Sequence, residues 1–274
     1  MCVPGCLDSV HARLSRRSFF KGAGAAAATG TAAMLAPSAP ASAAQRSFSR
    51  VVDMTHTLDP TFPTYFQQSG IELERMASLG EDGFNMYRWH VIEHAGTHLD
   101  APIHFSEDGP TADVLAINEL VAPLVVVDIK ARAAEDPDAQ VTPEDITAWE
   151  SVHGPIPQGA AVAMNSGWDR RIGGPDFAGL DSEGSFHFPG FHVETAQYLM
   201  TETGARGLVV DTLSLDYGPS ASFDTHYAWL PSNRWGMENI KNLDQVPPSG
   251  ATLVVGTPRI RGATGGPSRA IALV

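Results

Sequence analysis

The chain has 274 residues with 18 basic and 31 acidic side chains, and its net charge of −13 disfavours binding to nucleic acid or to an anionic membrane surface. Hydrophobic residues make up 43% of the chain, which is typical of a globular protein with a buried core. Both cysteines, Cys2 and Cys6, lie at the N-terminus, so we expect the rest of the chain to fold without disulfide bonds.

The first 43 residues resemble an export signal. Arg16 and Arg17 are followed by a weakly apolar run rich in glycine and alanine, and then by small residues that end at Ala43. The run is shorter and less apolar than the roughly 20 residues that a transmembrane helix needs, so we expect no stable membrane anchor. The pattern predicts a twin-arginine signal peptide over residues 1–43 and a mature protein that is periplasmic, in the cell wall or extracellular.

Residues 44–274 contain no internal repeat and no long linker, and we interpret them as one domain. Short runs, mostly rich in valine and isoleucine, predict strands at 50–53, 86–92, 124–129, 160–164, 207–210, 252–255 and 270–274. Helices are predicted at 143–149, with Thr142 as the N-cap, and at 193–203, which Gly204 ends. Because a helix is followed by a buried strand, the predicted class is α/β, a single domain with a mixed β-sheet and flanking helices.

Four side chains that can bind a metal or a proton lie between residues 94 and 104. They are His94, His98, Asp100 and His104. The first two are four residues apart, as on one face of a helix, but Gly96 and Pro102 disfavour a helix here. In an extended segment the last three alternate and point to one side, while a turn at Gly96 swings the first round to meet them.

The chemistry of these side chains predicts a metal site. Neutral imidazoles with a carboxylate suit borderline divalent ions, so His94, His98 and Asp100 are the candidate ligands. His104 lies six residues past His98 and beyond a proline, and we predict proton transfer near neutral pH as its role. For any one of these histidines taken alone, a solvated or hydrogen-bonded loop position is the competing interpretation.

Two other segments do not support a different chemistry. The glycine-rich segment 262–268 lacks the Lys-Ser/Thr ending of a phosphate loop, so we expect a tight turn before the last strand. Ser166 precedes Gly167 and Trp168 and does not form the Gly-x-Ser-x-Gly pattern of a nucleophile elbow. Serine hydrolase chemistry is therefore disfavoured.

The segment from His94 to Phe105 resembles the signature of the metal-dependent cyclase-family hydrolases, which include bacterial kynurenine formamidases and isatin hydrolases. Further similar segments extend through most of the mature chain, at 52–58, 166–168, 211–216 and 265–269. The resemblance implies the swivelling β/β/α fold of that family. It also implies hydrolysis by a metal-activated water of an amide, lactam or lactone, with His104 moving the proton.

The resemblance implies two further ligands far along the chain. Family members use a histidine and a glutamate twelve residues apart, and His226 and Glu238 have this spacing. Carried over, His94, His98 and Asp100 bind one ion, and Asp100, His226 and Glu238 engage a second. The implied cofactor is Zn²⁺ or Mn²⁺, as one or two ions. By position alone Glu238 opens a helix, where a carboxylate is ordinary capping.

The implied substrate is a small aromatic or cyclic molecule. Tyr65 matches an aromatic residue near the family's pocket, but Phe66-Gln67 follows it where the family usually has Pro-Gly. This departure, and the expected export, argue against kynurenine formamidase specificity. Other aromatic residues form either an apolar wall for the substrate or part of the core. They are Phe62, Trp229 and Trp235, with Tyr65 and Phe66 themselves.

Two other classes of protein stay open at this point. A secreted metal-binding or ligand-binding protein would have the same fold without turnover, and a structural cell-wall protein would bind no stoichiometric metal. His104 favours the enzyme, because a binding protein needs ligands but no spare proton carrier. Family members are often oligomeric, which implies a homo-oligomer.

Overall fold

The computed structural model describes residues 48–174 and 176–274, so the predicted signal peptide lies outside the described residues. Among the described residues, no helix is both long enough and apolar enough to cross a membrane. The strands are β1 Val51–Asp53, β2 Ile71–Ala77, β3 Met86–Val91, β4 His98–Asp100, β5 Val121–Asp128, β6 Gln140–Val141, β7 Ala161–Asn165, β8 Gly190–Phe191, β9 Gly207–Val210, β10 Trp235–Glu238, β11 Ala251–Gly256, β12 Gly265–Pro267 and β13 Arg269–Leu273.

The helices are short and lie between the strands. The α-helices are α1 Leu79–Asp82, α2 Lys130–Glu135, α3 Pro143–His153, α4 Val193–Glu202 and α5 Asp224–Trp229. Single 3₁₀ turns occupy Pro102–Phe105, Ala112–Val114, Ile117–Glu119, Trp168–Arg171, Leu230–Ser232 and Leu243–Gln245.

Nine strands form one mixed sheet in the order β1-β13-β11-β5-β7-β9-β10-β4-β12. The four strands β5, β7, β9 and β10 are parallel, and the strands on either side of them pair antiparallel. Hydrophobic clusters cover both faces. On β5, Leu124 and Val126 enter one cluster while Val125 and Val127 enter the other, which also holds the apolar residues of α3 and α4. Burial on both faces explains the nearly continuous apolar runs of the central strands.

The predicted fold class is confirmed, and each predicted strand and helix has a counterpart within a few residues. Two local predictions are wrong. Glu238 ends the buried strand β10 and does not open a helix, because β10 is held between β9 and β4. Residues 265–267 form the edge strand β12 and not a turn, because this segment pairs with β4.

The β2–β3 hairpin lies outside the large sheet and has two unlike faces. Leu73 is paired with Trp89. On the opposite face the Glu74 carboxylate contacts both Arg88 and His90. The apolar face is open to solvent, since Leu73 is 45% exposed and Trp89 is 69% exposed.

Helix α3 begins with a capping interaction that can be tested. The backbone N–H of Thr142 donates to Asp145 Oδ2 over 2.7 Å, and Arg132 also contacts that carboxylate. We expect Asp145→Ala to lower the free energy of unfolding by about 1 kcal/mol, because a backbone donor loses its partner. Urea denaturation measures the change, with the exposed neighbour substitution Glu144→Ala as the control. Equal losses in the two variants would contradict the capping role.

Candidate metal centre

Strand β4 places two candidate ligands, His98 and Asp100, in the middle of the site. It pairs with β10 on one side and β12 on the other, and the register sets His98 opposite Glu238. Because directly opposed residues of an antiparallel pair project to the same face, their side chains meet. His98 Nε2 lies 3.4 Å from Glu238 Oε2 and 3.3 Å from Asp100 Oδ1. All three side chains are buried.

A left-handed turn brings His94 to the same point. Gly96 has φ of 65°, a conformation that glycine adopts without strain, and the chain reverses there. His94 Nδ1 lies 2.7 Å from Asp100 Oδ1. The predicted turn at Gly96 is therefore confirmed, and the structure brings His94, His98 and Asp100 together.

His226 comes from helix α5 and is held by Asp216. The Asp216 carboxylate accepts hydrogen bonds from the backbone N–H groups of Thr225 and His226, and it lies 2.6 Å from His226 Nδ1. The other ring nitrogen, Nε2, is 3.3 Å from Glu238 Oε1 and 3.8 Å from Asp100 Oδ2. A carboxylate behind a histidine in this way is the common arrangement for fixing the ring of a metal ligand.

The donor atoms suit a divalent cation. In the described part of the chain, His98 Nε2 and Asp100 Oδ2 are buried without a hydrogen-bond partner, an expensive state for polar atoms unless a cation binds there. The Gly96 carbonyl accepts from His98 Nδ1 over 2.8 Å, which leaves the lone pair of Nε2 facing the site. Imidazole nitrogens with carboxylate oxygens form a donor set for Zn²⁺ or Mn²⁺.

The structure groups the potential ligand atoms differently from the two predicted sets. Potential ligand atoms lie within 4.8 Å of one another in two sets, which share Asp100. The first set is His94, Asp100 and His104, and the second is His98, Asp100 and Glu238. His226 joins the second set through its contacts with Glu238 and Asp100. All five predicted ligands therefore lie around Asp100, in two sets that share this carboxylate.

The electrostatics of the site also favour a cation. Burial opposes a charge on His98, but the carboxylates of Asp100 and Glu238 outweigh it and raise the pKa of His98 to about 9. Burial likewise opposes charge on His226, yet its carboxylate partners hold its pKa well above the usual value. Burial and the charge of Asp100 raise the pKa of Glu238. The buried carboxylates thus require positive charge, which the imidazole protons supply and which a metal ion would supply on displacing them.

His104 lies beside the donor atoms but in a different backbone conformation from the one predicted. It belongs to the 3₁₀ turn Pro102–Phe105, so the extended alternation predicted as far as this residue is wrong. The turn folds His104 back over His94, and the two rings stack with centroids 3.7 Å apart. Burial lowers the pKa of His104 to about 3, and the neighbouring histidines act in the same direction. The ring is therefore neutral at pH 7; because a pKa this low makes it a weaker proton acceptor than an ordinary histidine, the proton-transfer role stays a prediction.

Aromatic side chains line the entrance to this centre. Tyr65 and Phe66, both predicted, lie in the pocket wall with Phe105 and Phe223, which the sequence did not single out. The Tyr65 ring stacks on Phe186, with centroids 4.7 Å apart. The other candidates for the wall prove to be core residues, because none of them lines the pocket and each is almost completely buried. They are Phe62, Trp229 and Trp235.

Comparison with known proteins identifies the family. Residues 52–217 match the family described as "Putative cyclase". The isatin hydrolase of Roseibium aggregatum is 34% identical over 243 residues, which cover 82% of this chain and 91% of that protein. The kynurenine formamidase of Maricaulis maris is 27% identical over 225 residues, which cover 80% of this chain and 95% of that protein.

Solved structures show the same relationship. The isatin hydrolase A of Labrenzia aggregata, bound to benzyl benzoate, has a TM-score of 0.77 at 34% identity and covers 82% of this chain and 93% of its own. An isatin hydrolase bound to the product analogue thioisatinate has a TM-score of 0.76 at 32% identity and covers 82% of this chain and 92% of its own. These similarities confirm the resemblance inferred from the motif: the chain is a hydrolase of the cyclase family.

Proposed function

We propose that this hydrolase uses a metal-activated water to open the amide bond of a small aromatic or cyclic substrate, with a lactam as the preferred class. The observation that carries the proposal is the buried, unpartnered pair His98 Nε2 and Asp100 Oδ2 beside Glu238 and His226. Unpartnered buried atoms also occur in the core, as at Trp149 Nε1 and Trp235 Nε1, but His98 and Asp100 belong to one buried group of potential metal ligands with Glu238. The fit of the donor set to a divalent cation supports a metal-dependent reaction.

The residues divide the chemistry between them. His94, His98, Asp100, His226 and Glu238 would hold one or two ions of Zn²⁺ or Mn²⁺. When bound, such an ion lowers the pKa of a coordinated water toward neutrality and polarises the substrate carbonyl. His104, which stacks on His94 beside the donor atoms, would take a proton from the attacking water and give it to the leaving nitrogen, so that the C–N bond breaks without a free amide anion.

The pocket and the relatives support an aromatic lactam over an open-chain formamide. Tyr65, Phe105 and Phe223 present aromatic surface beside the donor atoms, which suits a flat ring. Phe66 occupies the position where the formamidase pattern usually has proline, and it is half exposed at the pocket wall. The isatin hydrolase relative also shares more identity with this chain than the Maricaulis formamidase does, at 34% against 27%.

Paired substitutions separate metal binding from proton transfer. We expect His104→Ala to retain the metal and to lose about 10²–10⁴-fold in turnover, because only the proton carrier is removed. Asp100→Asn should lose metal and turnover together, since the shared carboxylate becomes a neutral amide. Metal content by elemental analysis and hydrolysis of isatin and of formanilide are measured on the same samples.

His153→Ala is the matched control, because His153 is exposed at the end of α3. It should leave both readouts unchanged. Wild-type turnover in His104→Ala would contradict the proton-transfer role. A metal-loaded wild type that hydrolyses neither substrate, nor any member of a panel of lactams, lactones and formanilides, would favour the binding protein without turnover.

We also propose that the chain forms a homo-oligomer through the apolar face of the β2–β3 hairpin. Leu73 and Trp89 form a cross-strand pair on this face and are both exposed. Tyr87 adds to the same face and is 44% exposed. A second copy is the occupant best matched to this face, since an interface between identical subunits is commonly apolar and self-complementary.

Polar substitutions on the two hairpin faces test the oligomer. We expect Leu73→Ser with Trp89→Ser to shift the mature protein to a monomer, because both remove apolar surface from the contact. Glu72→Ser, which lies on the other face of β2, is the control and should keep the wild-type mass. Sedimentation velocity measures the mass of each. A wild-type monomer, or an unchanged mass in the Ser variants, would contradict this interface.

We further propose that the protein is exported through the twin-arginine pathway and acts outside the cytoplasm. The support is the motif at Arg16 and Arg17 with the small residues up to Ala43. An absence of cysteine after Cys6 is compatible with an oxidising destination, because no thiol would be exposed to misoxidation there.

A conservative pair of substitutions tests this route. We expect Arg16→Lys with Arg17→Lys to keep the precursor in the cytoplasm, because the pathway requires the arginine pair and not merely positive charge. Cell fractionation with an antibody against the folded domain measures the distribution. Arg13→Lys is the control and should be exported normally. Export of the double variant at the wild-type level would show a different route.

A further inference from the structure

We propose that Glu93 and Thr264 position His94 as a metal ligand by fixing which of its ring nitrogens carries the hydrogen. The proposal rests on the proposed metal-dependent function and adds two positioning residues that lie outside the ligand set. Neither residue stands out in the sequence: Glu93 directly precedes the motif, and Thr264 is 170 residues beyond His94.

Thr264 is tied to both sides of the motif. Its hydroxyl donates to Glu93 Oε2 over 2.5 Å, and its backbone N–H donates to the same oxygen over 3.2 Å. Its carbonyl accepts from the backbone N–H of Ala101 over 2.9 Å, next to Asp100. Because an ionised carboxylate only accepts hydrogen bonds, the single hydroxyl hydrogen of Thr264 is committed to Glu93.

This hydrogen bond determines which nitrogen of the His94 ring carries a hydrogen. Thr264 Oγ1 lies 2.9 Å from His94 Nε2 and has only lone pairs left to offer, so Nε2 must carry a hydrogen and donate it. The other nitrogen, Nδ1, lies at hydrogen-bond distance, 2.7 Å, from Asp100 Oδ1 and shares a hydrogen with that carboxylate in the metal-free protein; a bound metal ion would replace this hydrogen. Nδ1 and the carboxylate oxygen therefore face the same point as ligand atoms.

The three ligand histidines are thus fixed by three different partners. His98 donates from Nδ1 to the carbonyl of Gly96, and His226 donates from Nδ1 to Asp216, so each offers Nε2 to the site. His94 is the reverse case and needs a hydrogen on Nε2. Without the Thr264–Glu93 pair, the remaining described hydrogen bond of His94, from Nδ1 to Asp100, would favour the opposite tautomer.

The predicted effect is on metal affinity. Partners that orient a ligand histidine typically contribute about 10–100-fold to metal affinity. Thr264→Val keeps the shape and removes the hydroxyl, so we expect the dissociation constant for Mn²⁺ or Zn²⁺ to rise by about 10–100-fold. Thr264→Ser restores the hydroxyl and should lie close to wild type.

The experiment has two readouts on the mature protein. Competition with a chromophoric chelator gives the affinity for Mn²⁺ and Zn²⁺, and ¹H–¹⁵N correlation spectra of the histidine rings identify the hydrogen-bearing nitrogen of His94. Urea denaturation of each metal-free variant checks that the fold is retained. We expect a hydrogen on Nε2 of His94 in wild type and in Thr264→Ser, and its loss in Thr264→Val, where the contact with Asp100 favours a hydrogen on Nδ1 alone.

The outcomes separate the two proposals. Equal affinities in Thr264→Val and wild type, or the absence of a hydrogen on Nε2 of His94 in wild type, would overturn the positioning role alone. If wild type binds neither metal, the proposed metal-dependent function fails. The ring spectra then still decide whether Thr264 selects the tautomer, so the two failures are distinguishable.

Discussion

The structure depends on two buried carboxylates that face the same point. Asp100 and Glu238 lie on neighbouring strands, and both are almost completely buried. A carboxylate loses several kcal/mol of hydration on burial, and two of them together repel each other unless positive charge is shared between them. The neighbouring imidazoles supply that charge as protons, or bind a metal ion that supplies it. Strands β4 and β10 and helix α5 bring their histidines and carboxylates together at this point.

The strands can approach this point because two positions have no side chain. A Cβ atom on Gly236 would lie 3.1 Å from Asp100 Oδ2 and 2.8 Å from Leu215 Cδ1. A Cβ atom on Gly265 would lie 2.3 Å from the Leu99 carbonyl oxygen and 2.8 Å from His94 Cε1. Glycine on each strand that flanks β4 therefore leaves the space that the donor atoms occupy. The close packing of the strands and the placement of the donor atoms therefore depend on the same two glycines.

The sequence predicts the parts of this arrangement that depend on local chemistry. The buried strands β5, β7 and β9 are apolar runs, and helix α3 has its N-cap and proline. The first ligands and His104 all lie within the eleven residues from His94 to His104. Strand β12 consists of two glycines and a proline, which have no intrinsic strand preference, and it exists because β4 offers it a partner. The helix predicted at Glu238 is wrong for the same reason, because its strand β10 forms by pairing with β9 and β4.

Long-range hydrogen bonds account for what the sequence does not reveal. His226 and Glu238 could be assigned by their spacing in the family, but Asp216, which orients His226, could not be assigned a role from sequence alone. Thr264 is still further from the residue that it contacts. The 3₁₀ turn that folds His104 onto His94 follows from Pro102, yet the stacking of the two rings depends on the neighbouring strands.

The central claim is that a divalent cation binds where Asp100, His98 and Glu238 meet. Anomalous diffraction from a crystal of the mature protein, purified with Mn²⁺ or Zn²⁺ and measured at the absorption edge of that metal, tests it directly. The account predicts a peak roughly 2.0–2.2 Å from Asp100 and from His98 Nε2. A metal-loaded crystal with its peak elsewhere, and none among these side chains, would contradict it.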